Sequence, residues 1–243
     1  MMKLIYKPNT KSPAGEYAKY SVSIFEGCRE KACSYCYMAK MNKRFNKYFG
    51  EARIKVSLQN KDIVNLFNKE LEIKLPEYQK HGLFFFFNSD PFLPQTKELT
   101  EKLIYNCWLR GIRATTLTKE FDWINTFDFK LYTKDKNINF GFTLTGMDEL
   151  ESACPSTKAR IEAMQFIHEK GFDTWVSLEP CVDLGRAFLV FLQAMPYTNQ
   201  FKIGLLSGKK YEKEEVIKFV NAINMNNIHA REIVFKQSIK KYL

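Results

Sequence analysis

The chain has 243 residues, of which 45% are hydrophobic, and it carries a formal net charge of +10 at pH 7. That length buries one sizeable core, the composition excludes a disordered chain, and no apolar run is long enough for a membrane-spanning helix. The charge excess favours an anionic partner, nucleic acid or nucleotide, without choosing between them, and a merely basic surface would look the same.

The opening Met1-Met2-Lys3-Leu4-Ile5-Tyr6-Lys7 turns polar at once, which predicts a cytoplasmic chain without a secretory signal. In a reducing compartment six cysteines do not read as three disulfides. Three of them fall within nine residues, a spacing that points to metal ligation.

Along the chain, short apolar runs alternate with amphipathic segments of helical length. The runs are Tyr20–Phe25, Gly82–Phe87, Ile112–Thr118, Ile138–Thr145, Thr174–Leu178 and Phe201–Leu206. They are rich in β-branched or aromatic residues and free of acidic side chains, as strands covered on both faces should be. Between them, helices are predicted over Lys61–Ile73, Lys97–Leu109, Ser156–Lys170, Ala187–Met195 and Glu212–Ile223, with a weaker helical pattern over Phe121–Tyr132. Gly111 and Gly171 follow two of these segments as C-terminal stops.

Strand and helix in alternation imply parallel pairing and right-handed crossovers. Six such units fit an open doubly wound sheet or a barrel, complete or partial. Both architectures place function at the C-terminal ends of the strands. Those ends are markedly polar: Gly27-Cys28, Asn88-Ser89-Asp90-Pro91, Thr118-Lys119, Thr143 with Thr145, Ser177 with Glu179-Pro180-Cys181, and Ser207-Gly208.

The segment Gly27-Cys28-Arg29-Glu30-Lys31-Ala32-Cys33-Ser34-Tyr35-Cys36-Tyr37 follows directly on the first run. Three thiolates in one short loop can hold three irons of a cubane and leave the fourth open to a chelating cofactor. A structural zinc site would need a fourth Cys or His nearby, and the next candidates are His81 and Cys107.

This loop resembles the signature of the radical S-adenosylmethionine superfamily, Cys-x3-Cys-x-aromatic-Cys, with four residues rather than three between Cys28 and Cys33. The finer resemblance is to the spore photoproduct lyase-like branch. Gly15-Glu16-Tyr17-Ala18 is similar to its lead-in, and Cys36-Tyr37 to the end of its cluster loop. Phe85–Pro94 resembles its second strand, Thr116-Leu117-Thr118-Lys119 its third, Ser177-Leu178-Glu179-Pro180 its fifth and Lys202-Ile203-Gly204 its sixth. Phe235-Lys236-Gln237-Ser238 is similar to its closing segment.

The resemblance implies a single domain: an α/β, partial (β/α)6 TIM-like barrel of the radical SAM type. Residues 1–19 would be a lead-in, 20–208 the barrel core and 209–243 a C-terminal helix and closing segment. It implies a [4Fe-4S] cluster on Cys28, Cys33 and Cys36, with S-adenosylmethionine bound by Tyr35, Ser89, Asp90, Lys119, Thr143, Thr145 and Glu179. Lys119 would pair with the cofactor carboxylate and Tyr35 would lie near the adenine. An external electron donor of flavodoxin or ferredoxin type is implied, acting on a monomer.

Tyr37 stands where the lyase has a tyrosine near its hydrogen-transfer route. Asn88 replaces the lyase's hydrogen-donating cysteine, and Cys181 is the candidate substitute. Each residue has a plainer reading beside this one: an Asp-Pro turn at Asp90, a solvated Lys119, an aromatic Tyr37 packed by the cluster. The basic stretch Lys40, Lys43, Arg44 and Lys47, with Phe45 and Tyr48 interleaved, would steer a phosphate backbone or simply face water. The expected activity is reductive cleavage of S-adenosylmethionine to a 5′-deoxyadenosyl radical that abstracts hydrogen from a substrate, nucleic acid or nucleotide among the candidates. The alternative is a non-catalytic iron–sulfur or zinc-containing nucleic-acid-binding protein.

Overall fold

The computed structural model describes residues 3–31, 33–59, 61–132 and 137–243. Its backbone divides into two compact units, Met1–Asn139 and Phe140–Leu243. The single domain expected from the sequence is therefore best followed unit by unit.

In the first unit β1 (Ile5–Tyr6) pairs antiparallel with β2 (Ser21–Val22). The predicted run Tyr20–Phe25 does not stay one strand. Its end separates as β3 (Phe25–Glu26), which leads to α1 (Tyr37–Arg44) and pairs with β4 (Arg53–Ile54) in a small ribbon of its own. That split follows from hydrogen-bonding demand: β2 already has neighbours on both edges, and Phe25 needs a different partner. Helices α2 (Ile63–Ile73) and α3 (Leu75–His81) follow, then β5 (Leu83–Phe85), α4 (Lys97–Trp108) and β6 (Ala114–Thr118). The strands β2, β5 and β6 are parallel neighbours in that order.

Asp62 caps α2 by accepting from the Asn65 amide at 2.9 Å, which fixes where the helix starts. Ile63, Phe67 and Leu71 then recur at helical spacing and are all buried. Fully burying such side chains stabilises by roughly 1.5–3 kcal/mol each. The weak helical pattern at Phe121–Tyr132 becomes two 3-10 turns, Asp122–Asn125 and Phe129–Leu131. Aromatic packing overrides the periodicity there: Trp123 stacks on Phe92 at 3.8 Å, and Phe127 stacks on Tyr132 at 5.2 Å.

The division between units falls within β7 (Ile138–Thr143). The second unit continues with α5 (Thr157–Glu169), β8 (Asp173–Cys181), α6 (Leu184–Ala194), β9 (Gln200–Leu205), α7 (Lys213–Asn226), β10 (Glu232–Phe235) and the short α8 (Gln237–Lys240). Here β8, β9 and β10 are parallel neighbours, and the register slips between Leu178 and Cys181. Ser156 and Asp183 cap α5 and α6 through their side chains. Beneath them lies a core that includes Phe140, Phe142, Trp175, Phe191 and Phe201. The strand–helix alternation and its parallel pairing are those predicted from the sequence. Strands β1, β4 and β10 and helices α3 and α8 are among the additions. Among the described residues no helix is long and apolar enough to cross a membrane.

The second unit also buries an ion pair. Arg160 on α5 is fully buried, donating to Glu151 at 2.5 Å and to the Thr143 carbonyl at 2.7 Å. Removing one member of such a pair strands the other charge in the interior. Arg160→Met should therefore lower stability by about 3–5 kcal/mol in chemical denaturation. The double variant Arg160→Met/Glu151→Leu should recover most of that loss.

Candidate active site

In the first unit the cysteine loop begins at a glycine with no alternative. Gly27 has φ +79°, and a Cβ there would meet the Glu51 and Gly50 carbonyl oxygens at 2.6 and 2.7 Å. The next residue is anchored at once. Cys28 N donates to Gly50 O and Cys28 O accepts from Ala52 N, each at 2.9 Å. Further along, Cys36 N donates to Cys33 O at 2.9 Å, and the Cys36 sulphur caps α1 by accepting from the Ala39 amide at 3.5 Å. All three cysteines are half-buried. One sits on a strand bridge, one within the loop and one at a helix start, so the backbone presents three thiols from one short stretch.

The strand ends behind this loop are tied together by one carboxylate. The chain leaves β5 through Phe86, whose φ of 62° is a left-handed conformation that bulky side chains rarely adopt. Packing holds it there: the Phe86 ring meets Phe25 edge-on at 4.9 Å and is buried. The turn delivers Asn88, Ser89 and Asp90. Asp90 is buried, and its carboxylate accepts from Phe92 N at 3.0 Å, Thr118 Oγ1 at 2.6 Å and Lys119 N at 2.8 Å. It thus fastens the end of β5 to the end of β6. Asp90, expected among the cofactor-binding residues, has its oxygens engaged by three protein donors, one of them the Lys119 amide.

The Lys119 ammonium lies 5.6 Å from the centre of the Tyr35 ring, so the third strand end and the aromatic of the cysteine loop meet. The Cys28 thiol is pushed up to about 12, first by burial, then by the Asp90 charge, with Lys119 opposing and Cys33 and Cys36 adding to the rise. Cys28, Cys33, Cys36, Asp90 and Lys119 therefore share one electrostatic neighbourhood. The protein alone keeps Cys28 a neutral thiol, and a bound metal centre inverts that preference.

Two further residues join this neighbourhood that the sequence did not single out. Arg29, beside Cys28, forms an ion pair with Glu120, beside Lys119. Burial raises the Glu120 carboxyl to about 7, with Asp90 adding to the rise and Arg29 opposing it. Each is adjacent to a predicted site residue, but 91 positions separate them. No local pattern announces such a pair.

The residues present fit a cluster and a polar ligand. The Ser89 hydroxyl is buried without a hydrogen-bond partner, an arrangement that costs free energy unless a ligand atom completes it. Among the described residues no three His, Cys, Asp or Glu side chains gather tightly enough for a single metal ion.

The remaining predicted residues belong to the second unit. Thr143 and Thr145 are both buried, and Thr145 Oγ1 accepts from Met147 N at 3.2 Å. Glu179 closes its apolar strand with a cationic partner, Lys236, whose ammonium donates to Glu179 Oε2 at 2.7 Å. Gly204 makes room for it, since a Cβ there would lie 2.6 Å from Glu179 Oε1. The closing segment is also fastened by Ser238 Oγ, which accepts from Leu205 N at 2.9 Å.

Cys181, the candidate substitute for the hydrogen-donating thiol, lies in the interior. It is 1% exposed, its sulphur donates to the Leu178 carbonyl at 3.1 Å, and burial pushes its pKa up. This placement gives no support to a hydrogen-donor role. Tyr37 is 58% exposed, with its hydroxyl donating to the Phe87 carbonyl at 3.3 Å, next to Asn88.

Asp90→Asn should remove the acceptor that orders Lys119 N and cost about 1.5–3 kcal/mol, the range for hydrogen bonds to a charged group. Denaturant titration of the variant checks the cost.

No protein-family model matches the chain. An uncharacterized protein of Methanocaldococcus jannaschii is 25% identical over 235 residues, covering 93% of this chain and 83% of that protein. Among solved structures, a spore photoproduct lyase mutant with bound AdoMet and dinucleoside spore photoproduct aligns at 16% identity and TM-score 0.62, over 92% of this chain and 64% of its own. A mutant of the same lyase without a named ligand reaches TM-score 0.69 at 14% identity, over 95% and 80%. Streptococcus suis SuiB bound to S-adenosylmethionine aligns at 13% identity and TM-score 0.54, over 70% and 42%. The chain thus spans just under two thirds of the first of these structures and less than half of SuiB. Both proteins are seen with S-adenosylmethionine bound, and the chain shares their fold, an α/β partial TIM-like barrel.

Proposed function

We propose that this protein is a radical S-adenosylmethionine enzyme that cleaves its cofactor reductively and uses the 5′-deoxyadenosyl radical to abstract hydrogen from a substrate. The observation that carries the reading is the meeting of the three-cysteine loop with the third strand end, where the Lys119 ammonium lies 5.6 Å from the Tyr35 ring, on a fold shared with enzymes of that class. Cys28, Cys33 and Cys36 would hold a [4Fe-4S] cluster, which supplies the electron and the open iron. Lys119 would hold the methionyl carboxylate, Ser89 would complete its own hydroxyl on the methionyl group, and Tyr35 would line the adenine side. Thr143, Thr145 and Glu179 are the ribose candidates from the second unit, with Lys236 fixing the Glu179 carboxylate. Asp90 would hold the Lys119 backbone in place beside the ligand. Tyr37 is the candidate for hydrogen relay, and the alternative of a non-catalytic metal protein has no observation in its favour.

The substrate is expected to differ from that of the lyase. Asn88 offers no hydrogen atom comparable to a thiol's, and Cys181 is buried. A nucleotide or nucleic acid fits the basic charge of the chain. Anaerobic reconstitution with iron and sulfide, then dithionite and S-adenosylmethionine, should yield 5′-deoxyadenosine. Cys33→Ala should lose both the visible absorption of a four-iron cluster and that product. A full cluster in Cys33→Ala would overturn the ligand assignment. Adding dinucleotide spore photoproduct should leave it largely unrepaired, and rapid return to thymines would show a donor other than Asn88 or Cys181.

Lys119→Ala should keep the cluster but weaken S-adenosylmethionine binding. A charge-assisted hydrogen bond contributes roughly 1.5–3 kcal/mol, equivalent to about a 10–150-fold loss of affinity by anaerobic calorimetry. Unchanged affinity would return Lys119 to solvent.

A further inference from the structure

The cysteine loop and the end of β6 are separate stretches of chain, and each is fixed where it faces the other. On the loop side Cys28 is bonded through its amide to Gly50 O and through its carbonyl to Ala52 N, so Arg29 starts from an anchored point. On the strand side the Glu120 backbone is held at both ends. Its amide donates to Thr118 Oγ1 at 2.9 Å, and its carbonyl accepts from Trp123 Nε1 at 3.3 Å. Thr118 Oγ1 in turn donates to Asp90, the carboxylate that also accepts from the Lys119 amide.

The Arg29 guanidinium joins these two anchored points, its Nη2 donating to Glu120 Oε1. The two side chains are 26% and 13% exposed, and that exposure decides what the contact can do. Ion pairs between fully exposed side chains contribute little, because salt screening and the ordering of two long chains offset the attraction. Here water is largely displaced and both backbone anchors are already ordered. The attraction therefore acts on the spacing between loop and strand end, and the planar guanidinium gives it a direction.

The surrounding charges point the same way. Asp90 and Glu120 are two carboxylates of one neighbourhood, Arg29 and Lys119 are its two cations, and their formal charges cancel. The carboxylate next in sequence to Lys119 is thus engaged by a cation from the cysteine loop. Adjacency makes the contact consequential: Arg29 follows Cys28 and Glu120 follows Lys119. One residue step is about 3.8 Å between Cα atoms, so a shift at the ion pair is passed to both neighbours with little loss.

We propose that Arg29 and Glu120 are a positioning pair, whose contact holds the cysteine loop against the end of β6 so that the cluster ligand Cys28 and the Lys119 ammonium meet the same S-adenosylmethionine molecule. The inference rests on the function proposed above. Both residues act through their sequence neighbours, Arg29 through Cys28 and Glu120 through Lys119. A ligand that must reach two groups at once gains affinity from their being held at the right spacing beforehand, because less ordering is left for the binding step. Without the pair each group keeps its own chemistry, and only their relative placement loosens.

The test is a double-mutant cycle of Arg29→Met, Glu120→Gln and the two combined. In the cluster-loaded protein, anaerobic calorimetry should show S-adenosylmethionine binding about 3- to 30-fold weaker in each single variant, with the visible absorption of the cluster kept. The combined variant should lose no more than the weaker of the two, since one contact is lost in all three. The electron paramagnetic resonance signal of the dithionite-reduced cluster should change on adding S-adenosylmethionine in the unaltered protein, and change less at the same concentration in the variants. In the cluster-free protein, iodoacetamide should modify Cys28 at least about threefold faster in each variant, because the loop opens more often. Unchanged affinity in both single variants, or losses that add in the combined one, overturns the proposal. If the unaltered protein binds no S-adenosylmethionine, the proposed function fails, and the Cys28 alkylation rates still decide whether the pair holds the loop.

Discussion

The first unit depends on one buried carboxylate. Asp90 takes three donors from three places: an amide in its own turn, a hydroxyl at the end of β6 and the amide of Lys119. A charged acceptor withdrawn from water is costly unless its bonds are complete, and here they are. Two adjacent parallel strand ends are thereby held in one register, and the loops beyond them inherit fixed starting points. The strained Phe86 conformation is tolerable because the surrounding aromatic packing and the Asp90 bonds over-determine the turn.

Around that knot the chemistry is arranged by charge. Lys119 counters the burden that burial and Asp90 place on Cys28, and the Arg29–Glu120 pair links the cysteine loop to the same strand end. The second unit follows the same logic with different residues. Arg160 compensates Glu151 and holds the Thr143 carbonyl, while Lys236 compensates Glu179. Several of the polar strand ends are thus secured by an ion pair or a charged hydrogen bond. Such arrangements cost desolvation and so are weak sources of stability, but they set geometry where apolar packing alone would leave it loose.

Much of this organisation could be read from the chain directly. The alternation of apolar runs and amphipathic segments predicted parallel strands joined by helices, and the polar residues closing each run marked where function should lie. The crowding of Cys28, Cys33 and Cys36 likewise required no tertiary knowledge to suggest metal ligation. Where local pattern misled, competing contacts were stronger. The Phe121–Tyr132 periodicity gave way to aromatic stacking with Phe92, and the Tyr20–Phe25 run divided because its two ends had different strand partners.

What the sequence determined by itself were properties carried by near neighbours: helix caps at Asp62 and Ser156, strand alternation, three thiols in one loop, and the cationic stretch that becomes α1. What only the tertiary structure decided were partnerships across long separations. Lys236 meets Glu179 from 57 residues away, and Arg29 meets Glu120 from 91. Cys181, read from the sequence as a candidate hydrogen donor, is buried, and after the register slip beyond Leu178 its sulphur donates to the Leu178 carbonyl. The physical reason is common to all of these. Periodicity and capping are read within a few residues, whereas burial and charge compensation depend on which distant segment the chain brings alongside.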